Sequence, residues 1–137
     1  MKDHNPTKDS KESRRRMIQL QMMQQQMMQL QQQLQLMEQH ETELQNAKAS
    51  VIAMEKEHPG SEIYAPVTSG IFVRGELKDS KQFLVNIGNN IMAERTSQEV
   101  QKLIDDQLTE LIAVKNELEK QMEIITQHAM QMESDDV

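Results

Sequence analysis

Residues 62–95, EIYAPVTSGIFVRGELKDSKQFLVNIGNNIMAER, hold the strand signals of this chain and lie between two long stretches with helical periodicity. Ile63, Ala65 and Val67 alternate with Tyr64 and Pro66, and Ile71 and Val73 with Phe72 and Arg74. Phe83, Val85 and Ile87 repeat at period two, as do Ile91 and Ala93. Thr68, Ser69 and Gly70 separate the first two runs, and Gly88, Asn89 and Asn90 the last two. These residue types tolerate positive φ and close short hairpins. The centre therefore reads as two β-hairpins joined by residues 75–82.

The flanks restrict the plan further. In residues 17–58, Leu20, Met23, Met27, Leu30, Leu34, Met37 and Leu44 fall at alternating spacings of three and four, with Glu41 in the skipped position. That repeat marks one helix of a coiled coil. Past Leu44 the apolar set is read as Ala47, Val51 and Met54, a change of phase. Pro59 and Gly60 end the helix. Thr96 followed by Glu99 forms a capping-box pattern, opening a second helix over 96–133. Its seam is read as Val100, Ile104, Leu111, Val114, Leu118, Ile125 and Met132, with Gln107, Gln121 and His128 as polar interruptions. Both stripes suit one partner helix and are too narrow for a globular core. The expected fold is α+β: an antiparallel two-helix coiled coil, both termini at one end and two central hairpins at the other.

Isolated hairpins are marginal in water, and open strand edges invite pairing. The third strand is apolar on both faces, with Leu84 opposite Phe83 and Val85. The hairpins are therefore expected to pair with those of other subunits in a larger sheet or barrel. Ile63, Ala65, Val67, Ile71, Val73, Phe83, Leu84, Val85, Ile87 and Ile91 are the candidate assembly residues.

Composition narrows the function. The 137 residues include no Trp, one Tyr, two Phe and no Cys, and carry a formal charge of −7. Residues 1–16 read as a disordered basic tail, with residues 134–137 frayed and acidic. Arg14, Arg15 and Arg16 admit contact with nucleic acid or an anionic surface, yet the acidic balance disfavours nucleic acid as main partner. With no apolar run of roughly eighteen residues and no apolar leader, a cytoplasmic, non-membrane protein is expected. The four histidines lack metal-ligand or hydrolytic spacing and the glycines form no phosphate loop. No enzyme activity, metal or cofactor is expected.

Methionine is the conspicuous residue, with twelve in the chain. Met17, Ile18, Met22, Met23, Met27 and Met28 crowd the start of the first helix, and Met122, Met130 and Met132 the end of the second. Antiparallel pairing brings these clusters together. Flexible thioethers repack against varied shapes, so a promiscuous binding surface and a loosely specified coil are both consistent with the residues alone.

The segment EIYAPVTSGIFVRGELKD followed by FLVNIGNNIMAER resembles the central region of prefoldin, in particular its α-type subunits. The matching residues are Pro66 to Ser69, Gly75 with Leu77, and Val85 with Ile87 and Gly88; the helices match in pattern only, over about 17–133. Where many relatives carry a second Ser, Val-Pro-Gly and Val-Gly-Thr-Gly, this chain has Gly70, Val73-Arg74-Gly75 and Ile87-Gly88-Asn89-Asn90, which keep the turn chemistry.

The resemblance implies a hexamer of two α-type and four β-type subunits, whose hairpins build a β-barrel body. It implies an ATP-independent holdase that captures non-native polypeptides at coiled-coil tips and delivers them to a group II chaperonin. Met17, Ile18, Met22, Met23, Met27, Met28, Met130 and Met132 then become the candidate client-binding residues. An archaeal subunit and a eukaryotic paralogue both fit. The alternative is a structural or tethering coiled-coil protein without chaperone activity.

Overall fold

The computed structural model describes residues 6–135, with the order α1 (Pro6–Glu55), β1 (Glu62–Thr68), β2 (Ile71–Glu76), β3 (Gln82–Gly88), β4 (Ile91–Thr96) and α2 (Ser97–Asp135). The chain divides into two compact units. One comprises 6–39 with 111–135; the other is 40–110.

In the second unit, β1 pairs antiparallel with β2, and β3 with β4, as two separate two-stranded sheets. Each ladder carries a bulge beside its turn, between Pro66 and Thr68 in the first and between Asn86 and Gly88 in the second. Asn89 and Asn90 both adopt positive φ, 50° and 61°, the backbone of a type I′ hairpin turn. Gly88 at φ 125° supplies the bulge conformation that a Cβ would oppose, and its N–H donates to Asn86 Oδ1 at 2.9 Å.

The helices in this unit run antiparallel: Lys48 Nζ meets Asp105 Oδ1 at 2.8 Å, and Glu55 reaches the first turn of α2. The Ser97 hydroxyl, 1% exposed, donates to Glu55 Oε2 at 2.7 Å and accepts from Gln101 Nε2 at 3.0 Å. Gln98 Nε2 donates to Glu55 Oε1 at 3.2 Å. The carboxylate that closes α1 thus stands at the N-terminus of α2, where the helix dipole favours negative charge. Val100 and Ile104 are buried in the first turns of α2, and Leu44 is buried farther back along α1.

The capping box forms in full. Thr96 N–H donates to Glu99 Oε1 and Glu99 N–H to Thr96 Oγ1, each at 3.2 Å. The bond from the Thr96 backbone, then the Thr96 hydroxyl and the nearby Arg95 charge, lower the pKa of Glu99 below its ordinary value, outweighing slight desolvation. A carboxylate whose folded pKa is depressed stabilises the fold above its unfolded pKa and loses that contribution as pH falls through the folded value. The Glu99→Gln variant is accordingly expected to show a flatter loss of helix stability in acid than the parent, in circular-dichroism melts across pH 3 to 6 (about the carboxylate range). Parallel pH profiles would show that this carboxylate has no such role.

In the first unit the groove residues again define antiparallel pairing. Leu20, Met23 and Met27 lie with Ile125 and Ala129, while Leu30 and Gln33 lie with Gln121 and Ile125. The buried residues there are Leu111 and Leu118. The α1 seam matches expectation from Leu20 through Met37, all half-buried.

Several expectations change. Helix is already present at Pro6, so residues 6–16 are not a disordered tail; residues 1–5 lie outside the described residues. Pro is compatible with a first helical position, where its missing N–H has no intrahelical acceptor. Of the apolar set expected after Leu44, Val51 and Met54 are half-buried, but Ala47 is exposed and the seam position beside it goes to Lys48. Its alkyl stem covers apolar surface while the ammonium reaches Asp105.

In α2 the half-buried positions are Leu108, Lys115, Met122 and Ala129 in place of Gln107, Val114, Gln121 and His128. Ile104, Leu111, Leu118, Ile125 and Met132 belong to either phase, so the intervening residue can fall three or four positions on. Packing selects the phase with Leu108, Met122 and Ala129, which buries three apolar side chains where the other would bury three polar ones. Helix also persists to Asp135, within the segment read as frayed, and residues 136–137 lie outside the described residues.

Candidate functional site: hairpin faces and a methionine surface

Two surfaces stand out, one in each unit. The hairpin surface is built by strand alternation. On β1 and β2, Tyr64, Val67, Ile71, Phe72 and Val73 are more than half exposed, and on β3 and β4, Leu84, Ile87 and Ile91 likewise, with Met92 at the half-way mark. These nine side chains occupy both faces of their ladders, since Tyr64 pairs with Arg74 and Pro66 with Phe72 while Ala65 pairs with Val73. Covering them would contribute on the order of 10 kcal/mol, at about 1 kcal/mol for each half-exposed side chain. That magnitude lies inside the roughly 4–15 kcal/mol range for the cost of association, so covering these faces offsets much of it.

Among the candidate assembly residues, Ala65, Val67, Ile71, Val73, Leu84, Ile87 and Ile91 are exposed, whereas Ile63, Phe83 and Val85 are half-buried within their own unit. Tyr64, Phe72 and Met92 were not among the candidates, since each shares its strand face with charged or polar residues: Glu62 and Thr68, Arg74 and Glu76, and Glu94 and Thr96. Tyr64 is held in place by Arg74, whose guanidinium lies 5.7 Å from the ring centroid and pairs with Glu62 Oε1 at 2.8 Å.

The second surface lies where α1 begins and α2 ends. Met17, Ile18, Met22, Met28 and Met130 are between 55% and 64% exposed, while Met23, Met27 and Met132 are half-buried in the seam. Two grooves flank that seam. Met130 joins Leu20, Met23 and Met27 along one of about 220 Å³, and Met22 joins Ile124 and His128 along another of about 250 Å³. The two methionine clusters therefore meet, as antiparallel pairing requires. Ile124 and Leu36, 65% and 63% exposed, extend the apolar surface and were missed. Their signal was available, since each is an apolar residue outside the seam phase.

Among the described residues, no cluster of three or more His, Asp or Glu is placed to hold a metal ion. No described helix is long and apolar enough to cross a membrane.

The family model for prefoldin subunits matches residues 23–135, spanning both helices and both hairpins. The chain belongs to the prefoldin family. Prefoldin subunit alpha of Thermofilum pendens is 38% identical over 52 residues, which is 38% of this chain and 40% of that relative. The aligned part thus spans less than half the length of that curated prefoldin. A solved chain from filamentous PFD of Methanocaldococcus jannaschii superposes with a TM-score of 0.77 at 19% identity, covering 85% of this chain and 97% of that one. At that identity the likeness establishes the prefoldin fold, two helices around two hairpins.

Proposed function

We propose that this prefoldin chain is the α-type member of a hexamer with four β-type subunits, holding non-native polypeptides without ATP for delivery to a group II chaperonin in the cytoplasm. The hairpins supply the assembly surface, and strand pairing between subunits would build a β-barrel body. No enzyme chemistry and no cofactor enter the reading; capture requires only apolar surface that can adapt to unrelated sequences. The observation that carries it is the gathering of exposed Met17, Met22, Met28 and Met130 from two helices on one unit. Unbranched thioethers repack at low cost, which suits clients that share no sequence.

The test is the triple variant Met22→Gln, Met28→Gln and Met130→Gln. These exposed positions are outside the buried seam, so assembly and helicity are expected to persist. Suppression of aggregation of a denatured client is expected to fall several-fold, as about 1 kcal/mol per lost apolar contact implies. Full suppression by a folded triple variant would contradict the reading.

A structural role has one observation in its favour, the filamentous assembly named for the Methanocaldococcus jannaschii chain. Exposed edges on two separate hairpins can close into a ring or repeat without closure, and an interface that does not close gives a filament.

A further inference from the structure

The chain contains no cysteine, so thioethers are its sulfur chemistry. They fall into two exposure classes. Met17, Met22, Met28 and Met130 are 57–64% exposed, whereas Met23, Met27, Met37, Met122 and Met132 are half-buried along the seam. All nine lie in the unit formed by 6–39 and 111–135. An oxidant reaching this unit from solvent meets the exposed set first, and no thiolate competes for it.

We propose that Met17, Met22, Met28 and Met130 form a reversible oxidation site for hydroperoxides, which makes the client-binding surface polar while leaving the helix pair folded. In the forward step a sulfur lone pair attacks one peroxide oxygen. The S–O bond forms, the O–O bond breaks, and the remaining oxygen leaves as an alcohol, or as water from hydrogen peroxide, after taking the proton of the transferred oxygen. Sulfur loses two electrons and the peroxide gains them. A dithiol reductant reverses the change, taking the oxygen as water and becoming a disulfide, with a methionine sulfoxide reductase as catalyst.

Oxidation of a seam methionine would place a sulfoxide among packed side chains and open the coil. Oxidation of the exposed set changes only what the surface presents. Met22 and Met130 line the two grooves beside the seam, so their sulfoxides would place polar oxygen on both sides of it. The functional half of this inference rests on the holdase reading; the site itself does not.

The test uses the assembled protein, and Met92, the exposed hairpin thioether of the other unit, is followed separately in the peptide map. Limited hydrogen peroxide treatment is followed by peptide mass mapping, circular dichroism and a client-aggregation assay. Met17, Met22, Met28 and Met130 are expected to gain oxygen at least about fivefold faster than Met23, Met27 and Met37. Helicity should hold, client suppression should fall, and reductase with dithiol should restore it. In a variant with all four changed to Leu, peroxide should leave suppression at the level that same variant shows before treatment. Equal oxidation rates across both classes, or undiminished holding after the four are converted, would overturn the proposal. If the untreated assembly holds no client, the holdase reading fails, and the rate ordering alone then decides the oxidation site.

Discussion

Changing Val73 and Leu84 together to Lys is expected to leave the chain folded but unable to assemble. Both side chains are large, apolar and exposed, 53% and 64%, on different hairpins. In the isolated chain an ammonium at either position stays in water. In an assembly that covers these faces, each charge would be taken out of water, at a cost of several kcal/mol per ion that Glu94, cross-strand from position 84, offsets only in part. Two such charges exceed the roughly 10 kcal/mol that covering the nine hairpin side chains contributes only if desolvation is nearly complete; even half of it lowers association by several orders of magnitude. Sedimentation velocity should show a shift to the unassembled species, with unchanged helicity. A double variant that assembles like the parent would show that these faces are not the interface.

The second large effect is expected at Leu118→Ala. Leu118 is 8% exposed, and Leu111 is the other buried apolar residue of the unit formed by 6–39 and 111–135. Truncating a buried leucine costs about 2–5 kcal/mol, set by how far the site collapses around the cavity. The lower part of that range is expected, since Met122, half-buried one turn along the same helix, has a flexible side chain that can shift toward the gap. Two to three kcal/mol is still a large fraction of the stability of a short coiled coil. Hydrogen exchange should rise in 6–39 and 111–135 while the β1–β2 and β3–β4 ladders keep their protection. Equal loss of protection in the hairpins would show that the chain unfolds as one cooperative body.

Much of this fold was legible because its signals are local. The period-two runs locate all four strands, and Asn89 with Asn90 marks the tight turn because few residues tolerate positive φ twice in succession. The Thr96–Glu99 box could be read because both of its hydrogen bonds close within four residues.

What could not be read depends on partners far apart in sequence. Nothing local identifies Glu55 as the partner of Ser97, 42 residues on, and Lys48 looks like a surface residue until Asp105 is placed beside it. The α2 phase was misread for a different reason. Val114 drew the seam toward a spacing that leaves Gln107, Gln121 and His128 inside, although Leu108, Met122 and Ala129 offered a more apolar alternative. The candidate sites followed the same division. Met22, Met28 and Met130 could be recognised as exposed because they break the heptad, but Ile124 and Leu36 break it too and were passed over, because the site was read from where methionines cluster.

The most direct measurement of the central claim is the native mass of this chain mixed with a β-type prefoldin subunit. A single species of six chains, two of them this one, is the expected result, and it should vanish with the Val73 and Leu84 lysine variant. A chain that stays apart from the partner, or builds an open-ended ladder of masses by itself, would contradict it.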